Sequence, residues 1–359
     1  MTSSKVADAI RAKKLAMKGE LGTAYKTAFE EPAPTTASPY INFGAIPVLK
    51  NRITYKEIFG CEHPILGNPE YPAPPTYVNV GDIPTPDPHW CVDHRYTHEV
   101  CIALLYKHNA GITGKPGTGK TKIVRECCAR IGIPYYRLNG TGTLEPSDIW
   151  GQVHIDKSGT KYVNGYGTIA VEHGGCLAFD EPFTCMPETI SSFQALAEEG
   201  SKDRYVMRTG HQDETKCKLY AHPDFQLFLC SNVRGTGDGA GEYASTTVQD
   251  QSFLNRISRH IEMDYMTQDK EVDAIHAAYP WVSRDLASDM TQFASMMRTA
   301  WGHGTIEMPF SFRQLQSWST AIAETRDVKI ALDSVYGNTL NAIEREVYDK
   351  AYKDVGFKK

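Results

Sequence analysis

The residues with the clearest chemical potential form the segment GKPGTGKT, which runs from Gly114 to Thr121. It fits the pattern G-x-x-x-x-G-K-[S/T], in which glycines let successive backbone N–H groups point at phosphate oxygens. An expected strand precedes the segment and an expected helix follows it, so the positive end of that helix would add to the attraction. A glycine-rich turn that fits the pattern by chance is the alternative.

We expect this loop to bind the phosphates of ATP. Lys120 would reach the β- and γ-phosphates, and the hydroxyl of Thr121 would hold Mg²⁺. The predicted nucleotide-binding residues are Gly114, Pro116, Gly117, Thr118, Gly119, Lys120 and Thr121.

A pair of acids follows a second apolar stretch. The residues Cys176 to Phe179 are apolar, and Asp180 and Glu181 come directly after them. In this Walker B arrangement a buried strand carries carboxylates to the edge of the sheet where the phosphate loop opens. Asp180 would help to hold Mg²⁺, and Glu181 would orient and deprotonate the attacking water. A solvated helix start before Pro182 is the alternative.

A third apolar run, Phe225 to Cys230, ends in Ser231 and Asn232. A polar side chain at such a strand tip can hydrogen-bond the γ-phosphate or the attacking water, and Asn232 is the candidate. An asparagine at a strand end is otherwise usually a turn former.

The order of the elements predicts an α/β fold. Strands that alternate with helices indicate a parallel sheet with helices on both faces. The expected strands are 110–113, 135–138, 175–179 and 225–230, and the expected helices are 97–107, 122–130 and 188–198. From about residue 266 the pattern is helical, and its apolar stripe (Leu286, Met290, Phe293, Met296, Met297) favours the core of a small domain over a cofactor site.

Prolines set the first part of the chain apart, because twelve of the twenty lie between Pro32 and Pro88. Proline fixes φ and restricts the residue before it, so we expect an extended, irregular segment with one short ordered piece near residues 53–59. This segment either wraps the core or contacts a neighbour or partner; a disordered linker is the alternative.

Composition limits the classes of protein. The chain has 359 residues, 41% of them hydrophobic, which is enough for a substantial core in roughly two to three domains. A net charge of −5 makes strong nonspecific binding of nucleic acid unexpected. We find no apolar run of membrane-spanning length and no secretory leader. Nine cysteines without a C-x-x-C pair favour reduced, buried thiols and a cytoplasmic location.

Two histidines have zinc-ligand spacing. If 93–100 is helical, His94 and His98 share one face. No second pair of ligands is evident nearby, so we predict no metal site there.

The order of motifs resembles that of AAA+ ATPases of the MoxR type. After the loop, the Asp-Glu pair and Ser231-Asn232 come Phe253-Leu254-Asn255-Arg256-Ile257 and Ser311-Phe312-Arg313. The resemblance is closest to the cobaltochelatase small-subunit (CobS-like) branch. The phrases that carry it are His108-Asn109, residues 221–225, residues 235–239, residues 269–273 and, more weakly, residues 55–60.

The resemblance implies a fold and an assembly. The fold is an AAA+ P-loop core with a small C-terminal helical lid, which divides the chain into a Pro-rich extension (1–95), a core (96–265) and a lid (266–359). The assembly is a ring, usually of six subunits, with nucleotide at each interface. Arg256 is then the arginine finger that reaches a neighbour's nucleotide, with Arg259 as the second choice.

In the lid, Arg313 is implied as the residue that closes onto the nucleotide, although Phe312 stands where many relatives have proline. Residues 148–167 resemble an insert that forms a hairpin around Gly159 and faces the ring axis. Trp150 and Tyr162 are either contact residues for a client or packing residues.

These implications lead to three hypotheses. In the first, ATP hydrolysis drives remodelling of a partner with a von Willebrand A-type domain (CobT-like), within a complex that inserts Co²⁺ into a corrin precursor. In the second, the chain is a MoxR-type chaperone with no role in cobalamin. In the third, it is a nucleic-acid-directed ATPase or a structural ring gated by nucleotide, and the acidic charge weighs against DNA.

Overall fold

The computed structural model describes residues 51–157, 159–199, 204–211, 213–233 and 251–357. The expectations for the proline-rich part before residue 51 and for the phrase 235–239 lie outside these residues. The described strands are β1 (Arg52–Thr54), β2 (Glu70–Pro72), β3 (Ala110–Gly114), β4 (Tyr135–Asn139), β5 (Gly151–Asp156), β6 (Gly159–Asn164), β7 (Gly175–Asp180), β8 (Tyr205–Met207), β9 (Lys218–Tyr220), β10 (Phe225–Ser231) and β11 (Arg259–Met263).

The described α-helices follow the same chain order. They are α1 (Tyr55–Phe59), α2 (His94–Leu105), α3 (Lys120–Ile131), α4 (Pro146–Trp150), α5 (Tyr166–His173), α6 (Pro187–Ser191), α7 (Gln251–Leu254), α8 (Gln268–Ala278), α9 (Arg284–Gly302), α10 (Phe312–Thr325), α11 (Val328–Val335) and α12 (Ala342–Val355).

Five parallel strands form the central sheet, in the order β11-β3-β10-β7-β4. Their register aligns the carboxyl ends of the inner strands. Ser231 pairs with Thr113, and Cys230 pairs with Asp180. The residues that follow β3, β7 and β10 therefore meet at one edge of the sheet.

Both faces of this sheet are covered. Side chains of successive residues in a strand point to opposite faces, and the inner strands β7 and β10 are buried at almost every position. On β10, Phe228 and Cys230 pack with α2 and α3, whereas Leu227 and Leu229 pack with Phe193 and its neighbours on the other face. The predicted α/β sheet with helices on both faces is confirmed.

One expected helix is too long. The sequence predicted helix over 188–198, but α6 ends at Ser191 and turns follow. Hydroxyl groups compete for the backbone here, since Ser192 Oγ donates to the carbonyl of Thr189 and also accepts from Trp150 Nε1 at 2.8 Å. Phe193 and Leu196 are fully buried, so packing fixes the turns.

The segment before α2 packs onto the core. Tyr55 and Tyr71 are buried in the same apolar cluster as α2 and α3. The Tyr55 hydroxyl lies 2.6 Å from Thr97 Oγ1, and the Tyr71 hydroxyl lies 2.7 Å from Nδ1 of His98. From residue 51 onward, this segment wraps the core, which is the first of the alternatives that the sequence suggested for it.

The C-terminal helices α8 to α12 have an apolar core of their own. Met290, Phe293 and Met297 of α9 are fully buried in it, together with Trp318 and Tyr348. The methionine and aromatic stripe is therefore a core, as predicted.

The expected hairpin is present, with β5 and β6 antiparallel and Asp156 paired with Gly159. Trp150, just before it, is 3% exposed, and the Tyr162 hydroxyl donates to its carbonyl. Both aromatic residues are packed, which favours the packing role for them.

Two further expectations concern metals and membranes. In the described part of the chain, no group of three or more His, Cys, Asp or Glu side chains could hold a metal ion, and its cysteines are all free. Likewise, none of the helices described above is both long enough and apolar enough to cross a membrane.

Candidate nucleotide-binding site

The loop between β3 and α3 has the backbone that a phosphate cradle requires. Gly117 has a φ of 73° and Gly119 a φ of 92°. Residues other than glycine rarely adopt these backbone angles. A Cβ atom on Gly117 would lie 2.2 Å from Cβ of Ser311, so the absence of a side chain also lets the C-terminal helices approach the loop. Thr118 Oγ1 donates to the carbonyl of Lys115 at 2.9 Å and stabilises the curl.

Lys120 is 7% exposed and lies at the centre of the site. Its Nζ donates to the carbonyls of Gly114 and Lys115, at 2.9 and 3.1 Å, and to Oδ1 of Asn232 at 2.7 Å. Burial lowers the pKa of Lys120, while the nearby carboxylate of Glu181 acts in the opposite direction. The ammonium group is thus held over the loop.

Thr121 and Asp180 meet at the start of α3, where Thr121 Oγ1 donates to Asp180 Oδ1 at 2.8 Å. The second carboxylate oxygen, Oδ2, accepts a bond of 2.5 Å from Nη2 of Arg137 on β4. A hydroxyl beside a carboxylate is a donor set that suits Mg²⁺. Arg137 was not identified as a site residue from the sequence. The signal that could have found it is a cationic residue on β4, the strand beside β7.

Glu181 has an unusual backbone, with φ and ψ both at 49° in the left-handed region. Such a conformation costs on the order of 1–3 kcal/mol and is found mainly at functional sites. Its Oε2 lies 3.4 Å from the backbone nitrogen of Asn232. Burial raises the pKa of Glu181 against the opposing charge of Lys120, which makes it a stronger base than an exposed glutamate.

Asn232 connects these groups, since its side chain accepts from Lys120 and its backbone N–H points at Glu181. Arg313, in the first turn of α10, faces the same space. A capping box of Ser311 and Gln314 starts that helix, and Ser311 packs against Gly117. A cavity of about 490 Å³ is lined by Pro116, Gly117, Gly119, Lys120, Thr121, Asp180, Glu181, Asn232 and Arg313, among others.

Arg256 is placed elsewhere. Its Nε donates to Oε1 of Glu198 at 2.6 Å, and its Nη1 donates to the carbonyl of Ser252 at 2.6 Å. It is not among the residues that line the cavity around Lys120. Arg259, the second choice, lies on β11, and its N–H donates to the carbonyl of Asn109. Within one chain the structure does not bring either arginine to the phosphate loop.

A second cavity, of about 510 Å³, adjoins the first and shares Gly117, Gly119, Lys122 and Arg313 with it. Residues 87–93 form one wall, and Tyr279 and Phe312 of the C-terminal helices form another. Sequence reasoning missed this cavity because its walls come from three distant parts of the chain. Its size falls within the usual range for a small-molecule site.

Residues 111–250 match the family model described as AAA domain (dynein-related subfamily). One curated relative, the aerobic cobaltochelatase subunit CobS of Sinorhizobium sp, is 26% identical over 84% of this chain and 89% of its own length. Another, protein CbbQ of Hydrogenophilus thermoluteolus, is 24% identical over 55% of this chain and 67% of its own length. Among solved structures, the RuvB Holliday junction branch migration motor of Thermotoga maritima has a TM-score of 0.44 at 12% identity, over 77% of this chain and 76% of the other.

The parallel sheet, with the phosphate loop and the acid pair at one edge, and the family match over residues 111–250 give the chain an AAA+ P-loop fold. The chain is similar to AAA+ ATPases of the MoxR type, CobS and CbbQ among them.

Proposed function

We propose that the chain hydrolyses ATP to ADP and phosphate with Mg²⁺. The observation that carries the proposal is the gathering of Lys120, Thr121, Asp180, Glu181 and Asn232 around one cavity. Each has the chemical type that phosphoryl transfer to water requires.

In this proposal each residue has one role. The loop N–H groups and Lys120 bind the β- and γ-phosphates, and Thr121 and Asp180 hold Mg²⁺, which neutralises charge on the phosphates. Glu181 accepts the proton of the attacking water as the new P–O bond forms and the bond to ADP breaks. Asn232 orients Lys120 and the water. The nucleoside would lie in the adjoining cavity of about 510 Å³, and Arg313 would act from the lid.

We also propose that the chain works as a ring, with six subunits as the expected number. Arg256 would then serve a neighbour's nucleotide. Its position outside its own cavity supports this role, because a residue that acts across an interface must lie away from its own loop. To do so, the Arg256 side chain would have to release Glu198 and bind a phosphate oxygen of the neighbour's nucleotide.

For the client, the relatives suggest two candidates. The match to CobS over most of both chains favours a cytoplasmic ATPase subunit that remodels a partner with a von Willebrand A-type domain, in a cobaltochelatase-like complex. The relation to CbbQ keeps a MoxR-type chaperone as the second candidate. Affinity capture from the native host separates the two. A large chelatase subunit together with an A-domain partner supports the first, and an A-domain partner without that subunit supports the second.

The test of the nucleotide site itself uses Lys120→Ala. We expect phosphate release and binding of Mg-ADP in the unaltered chain, and a loss of at least about 100-fold in nucleotide affinity in the variant, because a buried charge-assisted contact to phosphate disappears. Calorimetric titration with Mg-ADP measures the affinity of both proteins. Equal affinity in the two proteins would contradict the assignment of the loop.

A further inference from the structure

A buried carboxylate on α3 has no role in the hydrolysis proposed above. Glu126 is fully buried on the same helix as Lys120. Its Oε1 accepts from Nη1 of Arg125 at 2.7 Å and lies 3.3 Å from Nζ of Lys122, and its Oε2 accepts from Nη1 of Arg130. A buried charge is stable only with such partners. Three cationic side chains nevertheless surround one carboxylate, although a single positive charge is enough to neutralise it.

The surplus contacts hold another part of the chain, residues 85–93, which we call the wall segment. The backbone N–H of Asp87 donates to Glu126 Oε2 at 3.0 Å. Nζ of Lys122 donates to Asp87 Oδ2 at 2.7 Å, and Nη2 of Arg130 donates to the Asp87 carbonyl at 3.0 Å. Charged groups of α3 therefore fix both the backbone and the side chain of Asp87.

The remaining contacts extend this attachment along the wall segment. Arg125 Nη2 donates to the carbonyl of Thr85 at 3.3 Å, and the guanidinium of Arg130 lies 4.8 Å from the ring centre of Trp90. Trp90 itself lines the cavity of about 510 Å³ beside the phosphate loop, as do Asp87 and His89. The position of this cavity wall thus depends on α3.

We infer that Glu126 is a positioning residue that fixes the wall segment and so sets the affinity of the site for the nucleoside part of a nucleotide. The inference rests on the proposed nucleotide site. Without the negative charge of the carboxylate, Lys122, Arg125 and Arg130 repel one another, and fewer acceptors remain for them and for the N–H of Asp87. The phosphate cradle is built from other bonds, those of Lys120 to the loop and to Asn232. Lys122 and Arg125 also line the cavity around Lys120. They keep their charges without Glu126, whereas the wall segment loses its attachment, so we expect the larger effect on the nucleoside half of the ligand.

Two probes separate the halves in the full-length chain. Mg-ADP carries a nucleoside, whereas magnesium tripolyphosphate carries phosphates alone. For Glu126→Gln we expect the Kd of ADP to rise about ten-fold and that of tripolyphosphate to change by less than about two-fold. The wall segment lines only the nucleoside cavity, and Lys122 and Arg125, which also line the cavity around Lys120, keep their charges in this variant. In turnover, the KM for ATP should rise while kcat changes little.

Equal weakening of both probes, or no weakening of either, would overturn the inference. The matched control is Asp333→Asn, another acid with three donor partners (Lys329, Arg345, Tyr348) but in the C-terminal helices. It should leave both affinities unchanged, which separates positioning from a general loss of stability.

Folding and the proposed function are controlled separately. If Glu126→Gln does not fold, Arg130→Met keeps the carboxylate paired with Arg125 and Lys122 but removes the bond of Arg130 to the Asp87 carbonyl and its contact with Trp90. It should show the same split between the probes to a smaller degree, and its absence would overturn the inference. If the unaltered chain binds neither probe, the nucleotide site itself is contradicted. If it binds both normally and Glu126→Gln changes the Kd of both probes equally, only the role of Glu126 is contradicted.

Discussion

At the scale of the residue, Glu181 has the properties that the proposed base requires. Burial raises its pKa, and the charge of Lys120 limits the rise. A carboxylate whose pKa lies closer to the working pH accepts a proton more readily from water. Its left-handed backbone turns the side chain back from the end of β7, where the N–H of Asn232 meets it.

We predict that kcat/KM for hydrolysis falls on the acid side at a pH above the ordinary glutamate value of 4.5. The sign follows from the mechanism: the base works only as the carboxylate, so activity is lost as pH falls through its raised pKa. A pH–rate profile measures this, and the Kd of ADP over the same range is the control. An acid limb that appears equally in ADP binding, or one at or below the ordinary value, would contradict the assignment.

At the scale of the element, the parallel sheet explains why much of the site was predictable. Asp180, Glu181 and Asn232 each follow an apolar strand, and parallel strands bring their carboxyl ends to one edge. The glycine pattern of the phosphate loop predicts its backbone conformation directly. Arg137 and the wall segment were not predictable, since their roles depend on contacts between side chains far apart in the chain. The helix expected over 188–198 failed because hydroxyl bonds and packing outweighed its periodicity.

The C-terminal helices provide a prediction about stability. Burial of Asp333 on α11 acts to raise its pKa, but bonds from the Tyr348 hydroxyl and Lys329 outweigh burial and lower it. A lowered pKa means stability that is fully present above the unfolded value and is lost as pH falls through the folded one. We expect Asp333→Asn to cost about 1 kcal/mol at pH 7, and less below about pH 4.

Urea unfolding of the two proteins at pH 7 and at acid pH measures this difference in free energy. A difference that does not shrink as pH falls would show that the amide harms the packing around Tyr348 instead.

At the scale of the whole molecule, the placement of Arg256 matters most. It is paired with Glu198 and does not line the cavity around Lys120, so in the proposed ring it would act on a neighbour's nucleotide. Hydrolysis that depends on a neighbour couples turnover to assembly, which suits a machine that acts on a partner.

We predict that Arg256→Ala abolishes hydrolysis in a uniform assembly, by at least about 1,000-fold, the usual scale for such a finger. Mixing it with Lys120→Ala subunits should restore part of the activity, because a Lys120→Ala neighbour still supplies Arg256 to an intact loop. Phosphate release across a series of mixing ratios is the measurement. Full activity of the uniform Arg256→Ala protein would remove the role across the interface.

The most direct test of the central claim is Glu181→Gln, measured for both nucleotide affinity and phosphate release. We predict that Mg-ATP binds with nearly unchanged affinity, because the phosphate contacts of the loop and Lys120 remain, while hydrolysis drops by at least about 100-fold because the proposed base is missing. Hydrolysis at the unaltered rate in this variant would contradict the account.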